Sequence, residues 1–355
     1  MRDIADGLAA WRAAGLRFAV ATVVRTFSSA PRGPGAAMAV AENGEVLGSV
    51  SGGCVEGAVY ELAKAALETG ETTLRRYGVS DDEAFEVGLT CGGTIDILVQ
   101  PADRPEFAEV LGAILAYQPV ALVSAGGRHL VVRPDHWSGD LGDPGLTASA
   151  AQLATGMLAH GRTAMLELGR HGEQRMDEVS VFVQSYALPP RMLVFGAIDF
   201  AHAVARIGKF LGYHVVVCDA RPVFATRKRF PEADELIVGW PHKYLETAAV
   251  DDRTVICVLT HDPKFDVPLL RAALLTPAAY IGVMGSRRTH ADRLERLREL
   301  DVPESALVRL AAPIGLDLGA RTPEETAVAI AAEIIALTWN GSGRRLTELH
   351  APIHG

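Results

Sequence analysis

The chain has 355 residues, 49% apolar and 22% charged, and its 34 Lys and Arg against 43 Asp and Glu give a net charge of -9. At roughly 100–200 residues per domain, this length predicts two or three domains and excludes a complete redox enzyme with its own iron–sulfur and flavin modules. The composition excludes disorder as the main state, and the acidic balance argues against DNA or RNA as partner, since a phosphate-backbone binder needs a basic face.

No window of 18 apolar residues occurs, so no membrane span is expected. Met1-Arg2-Asp3-Ile4-Ala5-Asp6 places acids where a signal peptide needs a basic and then an apolar run, which makes the cytoplasm the expected compartment. Ile4, Leu8 and Trp11 instead share one face of a helix. Phe18 to Val24 reads as a strand, followed by a long loop from Arg25 to Gly35. Ala36 to Ala41 and Val46 to Ser49 read as the next strands, joined by a turn over Glu42-Asn43-Gly44-Glu45. Ser51-Gly52-Gly53 then opens a helix whose apolar face is Val55, Val59, Leu62 and Ala66. Thr94 to Val99 is a further strand. More strands are expected at 119–124, 129–133, 163–168 and 179–185, with a helix over 148–160. No internal repeat is evident.

Leu188-Pro189-Pro190 divides the chain, because two prolines stop regular structure. The expected domains are 1–188, a mixed α+β part, and 189–355, a Rossmann-like doubly wound parallel sheet. In the second part, short apolar strands alternate with helices. The strands are Met192 to Phe195, His214 to Cys218, Glu235 to Val238, Thr254 to Leu259, Ala279 to Val283 and Leu307 to Leu310. The first helix carries Phe200, Val204, Ile207 and Leu211 on one face. Thr322-Pro323-Glu324-Glu325 is a capping box with proline at the first helical position.

The dinucleotide fingerprint, G-x-G-x-x-G/A with an acid about 20 residues on, falls on Gly196, Ile198 and Ala201, with Asp219 as the acid. Ile198 replaces the glycine that lets backbone approach a pyrophosphate. Asp199 follows, and is read as a helix cap that takes up the phosphate's donors. Ordinary NAD binding is therefore disfavoured, while the fold is not. Other polar clusters sit at strand ends, where open α/β sheets bind ligands. They are Asp219-Ala220-Arg221-Pro222, Thr260-His261-Asp262, Gly282-Val283-Met284-Gly285-Ser286-Arg287-Arg288 and the run from Ala312 through Gly315 to Arg321. Gly285 and Ser286 opening a helix beside Arg287 and Arg288 suit a phosphate. Arg227-Lys228-Arg229 reads as a solvated helix face.

Four cysteines without a Cys-x-x-Cys pair are too few for a disulfide scaffold, and no metal site is expected. Cys54 falls in the first turn of its helix, where the helix start lowers a thiol pKa. Cys91 sits in Leu89-Thr90-Cys91-Gly92-Gly93, with glycines uncovering the sulfur. Packing is the competing reading for both, and it is the preferred one for Cys218 and Cys257 inside apolar strands. Arg25, Ser28, Arg32 and exposed backbone in the long loop suit an oxyanion, though equally any turn.

These residues resemble a family. Ser28-Ser29-Ala30-Pro31-Arg32-Gly33-Pro34-Gly35, Ser51-Gly52-Gly53-Cys54-Val55-Glu56, the Cys91 loop, Asp219-Ala220-Arg221-Pro222, Tyr280 to Arg288 and Pro313 to Glu325 together look like the XdhC/CoxI maturation factors for molybdenum hydroxylases, across nearly the whole chain. At Gly196 to Ala201 the chain departs from the family's more glycine-rich turn. The resemblance implies a chaperone that binds the molybdenum cofactor, as molybdopterin or its dinucleotide, and holds it for sulfuration. It would then deliver the cofactor to an apo hydroxylase client of xanthine dehydrogenase, aldehyde oxidoreductase or CO dehydrogenase type, with a cysteine desulfurase as sulfur donor. It also implies that Arg25 or Arg32 with Gly52, Gly53 and Gly92 backbone supplies anion donors, that Cys54 or Cys91 handles sulfur, and that the protein is a homodimer. An NAD(P)-dependent oxidoreductase is the alternative; a partner-binding redox or scaffold protein is a third reading.

Overall fold

The computed structural model describes residues 1–27, 30, 32–78 and 93–349. Two compact units meet at Leu188 and Pro189. The first unit runs α1 (Ala5–Ala13), β1 (Phe18–Phe27), β2 (Ala37–Ala41), β3 (Val46–Gly48), α2 (Glu56–Thr69), β4 (Thr73–Tyr77) and β5 (Thr94–Pro101). It continues through α3 (Pro105–Leu115), β6 (Val120–Ala125), β7 (Arg128–Val132), β8 (Trp137–Gly139), α4 (Pro144–Ala159), β9 (Ala164–Leu168) and β10 (Val179–Tyr186). β1 continues through Arg25 and Phe27, so the long loop starts later than the sequence suggests. α3, β4 and β8 are additions to the elements expected from sequence.

These elements form two antiparallel sheets, β3-β2-β1-β5-β4 and β8-β7-β6-β10-β9. Strand order, element order and register coincide, so the unit is an internal duplication, contrary to the sequence reading. Val20 pairs Gln100 in the first sheet as Leu122 pairs Gln184 in the second. Met38 pairs Gly48 as Leu130 pairs Gly139. Gly48 (φ +75) and Gly139 (φ +94) are both left-handed, and a Cβ on either would strike the carbonyl oxygen of Ala37 or His129, which are themselves equivalent. The likeness is confined to the strands: Phe18-Ala19-Val20-Ala21-Thr22 answers Val120-Ala121-Leu122-Val123-Ser124, and Ile97-Leu98-Val99-Gln100 answers Val181-Phe182-Val183-Gln184.

Alternation along the strands builds the layers. Phe18, Val20, Leu122 and Val131 share one core with α1 and α3, between the sheets. Ala19, Ala21, Val23, Ile97 and Val99 turn to the opposite face, where α2 seats Val59, Ala63 and Ala66. α4 covers the outer face of the second sheet with Leu146, Ala150, Ala154 and Leu158. Each Val- or Leu-sized side chain so buried contributes about 1.5–3 kcal/mol.

The second unit contains β11 (Arg191–Phe195), α5 (Asp199–Phe210), β12 (His214–Asp219), β13 (Glu235–Val238), α6 (Pro241–Leu245), β14 (Val255–Val258), α7 (Pro263–Leu274), β15 (Tyr280–Val283), α8 (Arg287–Glu299), α9 (Glu304–Leu307), β16 (Leu310–Ala311) and α10 (Pro323–Thr338). All its strand pairs are parallel, in the order β13-β12-β11-β14-β15-β16. Numbered within the unit this is 3-2-1-4-5-6, the order of dinucleotide-binding sheets. Met192 and Val194 face a core shared with α5 and α10, while Leu193 and Phe195 face α7 and α8, which is why these strands read as unbroken apolar runs.

Two expectations need correction. Leu307 closes a helix, and the last strand is only Leu310–Ala311. α5 rests on Ala201, Val204, Ala205 and Gly208, so that of the predicted stripe Val204 lies at the centre of the contact, Phe200 and Ile207 pack at its flank, and Leu211 falls just past the helix end. A Cβ on Gly208 would strike Met192, so close helix–sheet approach selects the small residues. The Thr322 capping box on α10 is formed as predicted.

Candidate functional site

In the first unit, the residues between β3 and α2 fold around a carboxylate. Gly52 (φ +81) and Gly53 (φ +119) adopt backbone conformations that other residues rarely take, turning successive N–H groups inward. Glu56 Oε1 accepts from the backbone of Val50, Ser51 and Gly52 at 3.3, 2.9 and 3.0 Å, and from Ser49 Oγ at 2.6 Å. Its Oε2 accepts from Gly53 and Val55 N–H at 2.9 and 3.2 Å and from Ser51 Oγ. Burial works against the charge, but the Ser49, Ser51 and backbone donors outweigh it and hold the carboxyl at about 2.

The glycine backbone expected to bind an external anion therefore holds an internal one. α2 begins at Glu56, so Cys54 lies ahead of the helix and not in its first turn. Its N–H donates to Ser51 Oγ at 3.0 Å, and its half-buried thiol packs beside the α2 core. The helix-start field expected to act on that sulfur is shared with the Glu56 carboxylate. Arg25 sits in β1 and is paired with Glu167 of β9. Arg32 donates to the Ser49 carbonyl at 2.9 Å and to Asp3 at 3.4 Å. Both arginines are thus committed within the chain. Ser28, Cys91 and Gly92 lie outside the described residues.

In the second unit, a crevice of about 270 Å³ opens at the carboxyl ends of β11, β12 and β14. It spans the switch point where strand order reverses, the position at which such sheets bind ligands. Ile198, Asp219, Arg221, Thr260, His261 and Lys264 line it. Gly196 (φ +104) is required by contact with the segment that follows β14, since a Cβ would lie 3.0 Å from the Thr260 nitrogen. Asp219, 3% exposed, accepts the Ala197 N–H at 2.7 Å and binds Arg221 through its backbone N–H and its guanidinium at 2.8–2.9 Å. Burial raises its pKa, but Arg221 and the Ala197 N–H hold it below the usual carboxylate range. The acid that would take a ribose hydroxyl thus closes the phosphate turn from inside.

Asp199 is not a cap. Ile198 holds the N-cap position without a side-chain bond, and Asp199 is the first helical residue, paired with Arg229 at 3.0 Å. Arg229 also donates to the Ala197 carbonyl at 3.2 Å. Arg227 donates to the Ala233 and Asp234 carbonyls. The Arg227-Lys228-Arg229 run is a turn that ties down the β11–α5 connection, not a helix face.

Behind the crevice lies a buried ion pair. Arg293 and Asp266 have side chains 4% and 1% exposed. Arg293 Nε reaches Asp266 at 3.0 Å, Nη1 the Met284 carbonyl at 2.8 Å and Nη2 the Thr260 carbonyl at 3.4 Å, while Thr260 Oγ1 donates to Asp266. One guanidinium thereby joins the loops after β14 and β15. Sequence reading missed both partners, although each is a charged residue on the buried stripe of its helix, Asp266 with Leu270 and Arg293 with Leu297.

Ser286 caps α8 by accepting from Thr289 N–H at 3.1 Å. Arg287 and Arg288 are exposed, and no carboxylate pairs with either among the described residues. Gly282 has no room for a Cβ beside Ile314, and Gly285 lies against Arg293. Gly315 (φ +97) donates its N–H to Glu333 at 2.8 Å, and the exposed Arg321 donates its own to Glu325 at 2.7 Å. The structure gathers Asp219, Arg221 and His261 around the crevice and places Ser286, Arg287 and Arg288 after the next strand but one from β11. Cys218 and Cys257 are core, at 1% and 0% exposure, and burial pushes both thiols up to about 12.

Among the described residues, no helix is long and apolar enough to cross a membrane. Residues 192–334 match the model of the XdhC Rossmann domain, and residues 11–78 match that of the XdhC and CoxI family. The chain is 28% identical over 324 residues to a protein of Bacillus subtilis described as a probable xanthine dehydrogenase component, covering 89% of this chain and 92% of the relative. It is 27% identical over 319 residues to the molybdenum cofactor insertion chaperone PaoD of Escherichia coli, covering 89% and 82%. A crystal structure described as a xanthine dehydrogenase from Bacillus halodurans shares the fold with a TM-score of 0.70 at 24% identity, covering 98% of each chain. With both units matched in order, the chain belongs to the XdhC and CoxI family.

Proposed function

We propose that this chain is a molybdenum cofactor chaperone, which takes up the cofactor, keeps it while it is sulfurated, and passes it to an apo molybdenum hydroxylase. Its likeness to PaoD over 89% of its length supports the reading. The structural observation that carries it is the sealed turn: with Ala197 N–H bound to Asp219, and Ile198 in place of glycine, the Rossmann unit lacks the open pyrophosphate cradle of an NAD(P) enzyme. The cofactor is cargo here. Arg287, Arg288 and the Ser286 turn are the proposed contacts for its phosphate, and Arg221 and His261 for its ring or nucleotide part. A cysteine desulfurase as sulfur donor and a homodimeric assembly complete the proposal.

The 3-2-1-4-5-6 strand order favours a second reading, an NAD(P)-dependent oxidoreductase. Incubating the protein with molybdenum cofactor and with NAD(P), then desalting and assaying each, separates the two. Retained cofactor without retained NAD(P) is expected; the opposite result overturns the proposal. Cys54→Ser tests the sulfur role in reconstitution of a sulfur-dependent client. We expect client activation to fall at least about tenfold with the melting temperature preserved, because the change nearly keeps volume but loses the soft nucleophile. Full activation by this variant removes Cys54 from the route.

A further inference from the structure

The ligand contacts proposed above lie on separate loops. His261 follows β14, whereas Ser286, Arg287 and Arg288 follow β15, one strand further along the sheet. One ligand can use both loops only if their spacing is held fixed.

Between the loops lies the buried network of Arg293, Asp266 and Thr260. Arg293 is on α8, about 9 Å along the helix from Arg287. Its guanidinium is divided among three elements. Nε binds Asp266 of α7 at 3.0 Å. Nη1 donates at 2.8 Å to the Met284 carbonyl, two residues before Ser286. Nη2 donates at 3.4 Å to the Thr260 carbonyl, one residue before His261. Asp266 also accepts from Thr260 Oγ1. Gly285 (φ +147) closes the packing, because a Cβ there would lie 2.8 Å from Nη1. Thr260 carries the contact onward, since its nitrogen lies against Gly196 of the β11–α5 turn. One side chain thus holds the backbone of both ligand-bearing loops.

Stability does not account for this arrangement. The pair is buried on the helix stripes that carry Leu270 and Leu297, and a buried ion pair is often no more stable than apolar side chains of the same volume. Neutralising the Asp266 carboxylate does not need a guanidinium, because an ammonium would serve. What the planar fork alone provides is several directed bonds at fixed angles.

We propose that Arg293 is a positioning residue, which fixes His261 relative to Arg287 and Arg288 through the Thr260 and Met284 carbonyls, so that one anionic cargo is held by both loops at once. Asp266 orients the fork. The identity of the cargo rests on the cofactor-loading reading; the spacing of the loops is measured without it.

Two variants of the full chain test this. Arg293→Met with Asp266→Leu replaces the pair by apolar side chains and should keep the melting temperature. Arg293→Lys keeps a charge beside Asp266 but loses the fork, and it carries the test if the apolar variant does not fold. Without any ligand, trypsin reports on both loops by cleaving after Lys264 and after Arg287 and Arg288, which are exposed. Cleavage at both places should quicken about tenfold in either variant at an unchanged melting temperature, because the helix starts open locally. Retention of molybdenum cofactor on desalting should fall at least about tenfold, the worth of one charge-assisted contact. The proposal is overturned if Arg293→Lys matches the wild type in cleavage and retention, if both variants keep wild-type cleavage rates, or if the loops loosen and retention is unchanged. If the wild type itself retains no cofactor, the loading reading falls, and the cleavage rates alone decide whether Arg293 sets the loops.

Discussion

The two repeats of the first unit share strand order, register and a left-handed glycine at the end of their third strand, yet they close their helices differently. In the second repeat, the chain passes from β8 to α4 through Asp140 to Asp143, and Asp143 caps α4 with one backbone bond, from Leu146 N–H at 2.9 Å. In the first, the segment from Ser49 to Val55 wraps a glutamate with five N–H and two O–H donors. The β6–β7 connection is the two-residue turn Gly126-Gly127, both with positive φ, whereas β1 and β2 are joined through residues 28–36. One scaffold is thus used once plainly and once with elaborated loops. The elaborated copy carries Cys54 and Arg32. Loops gather chemistry when a rigid frame bears their cost in backbone order.

The comparison can be broken or sharpened by mutation. The largest effect is expected at the shared glycines. Gly48→Ala and Gly139→Ala should each cost about 3 kcal/mol in urea unfolding, through strained φ plus a carbonyl clash; unequal losses would break the equivalence. Glu56→Ala should cost about 2–3 kcal/mol, because several donors lose an ionised partner. Added phosphate should raise the melting temperature of that variant and not of the wild type, since the emptied loop becomes an anion site. The Glu56 carboxyl lies at about 2 in the fold against an ordinary 4.5. Its contribution is therefore complete above pH 4.5 and is lost as pH falls toward 2, a loss Glu56→Ala should not show in acid titration of stability. Asp143→Ala, at the matching place, should cost only about 1 kcal/mol. The smallest contrast lies at the paired glutamines: Gln184→Met, losing a bond to the Gly35 carbonyl, should cost about 1 kcal/mol, and Gln100→Met, whose buried Oε1 has no partner among the described residues, nothing.

Much of this was written in local pattern. Apolar runs marked the parallel strands of the second unit because both faces of that sheet are covered, and Thr322-Pro323-Glu324-Glu325 marked the start of α10 because every part of a capping box lies within four residues. What escaped depends on partners far along the chain. The role of Arg229 rests on Asp199 and Ala197, about thirty residues away, so it looked like part of a basic run. Arg293 and Asp266 are 27 residues apart. The duplication hid because only the strand cores kept their likeness while the loops between them diverged. Glu56 stood in a quoted motif, but nothing in its own identity said that its carboxylate would turn back onto the glycines before it.

The Arg293–Asp266 pair has a consequence for ionic strength. Screening by added salt acts on charges in contact with solvent and scarcely on buried ones. The pair that joins the loops after β14 and β15 is shielded, while Lys264 on the crevice wall and Arg287 and Arg288 at the start of α8 are exposed. Raising salt should weaken the proposed contacts to the cofactor phosphate and leave the shape of the crevice intact. Release and unfolding can then be driven separately, the first with salt and the second with denaturant.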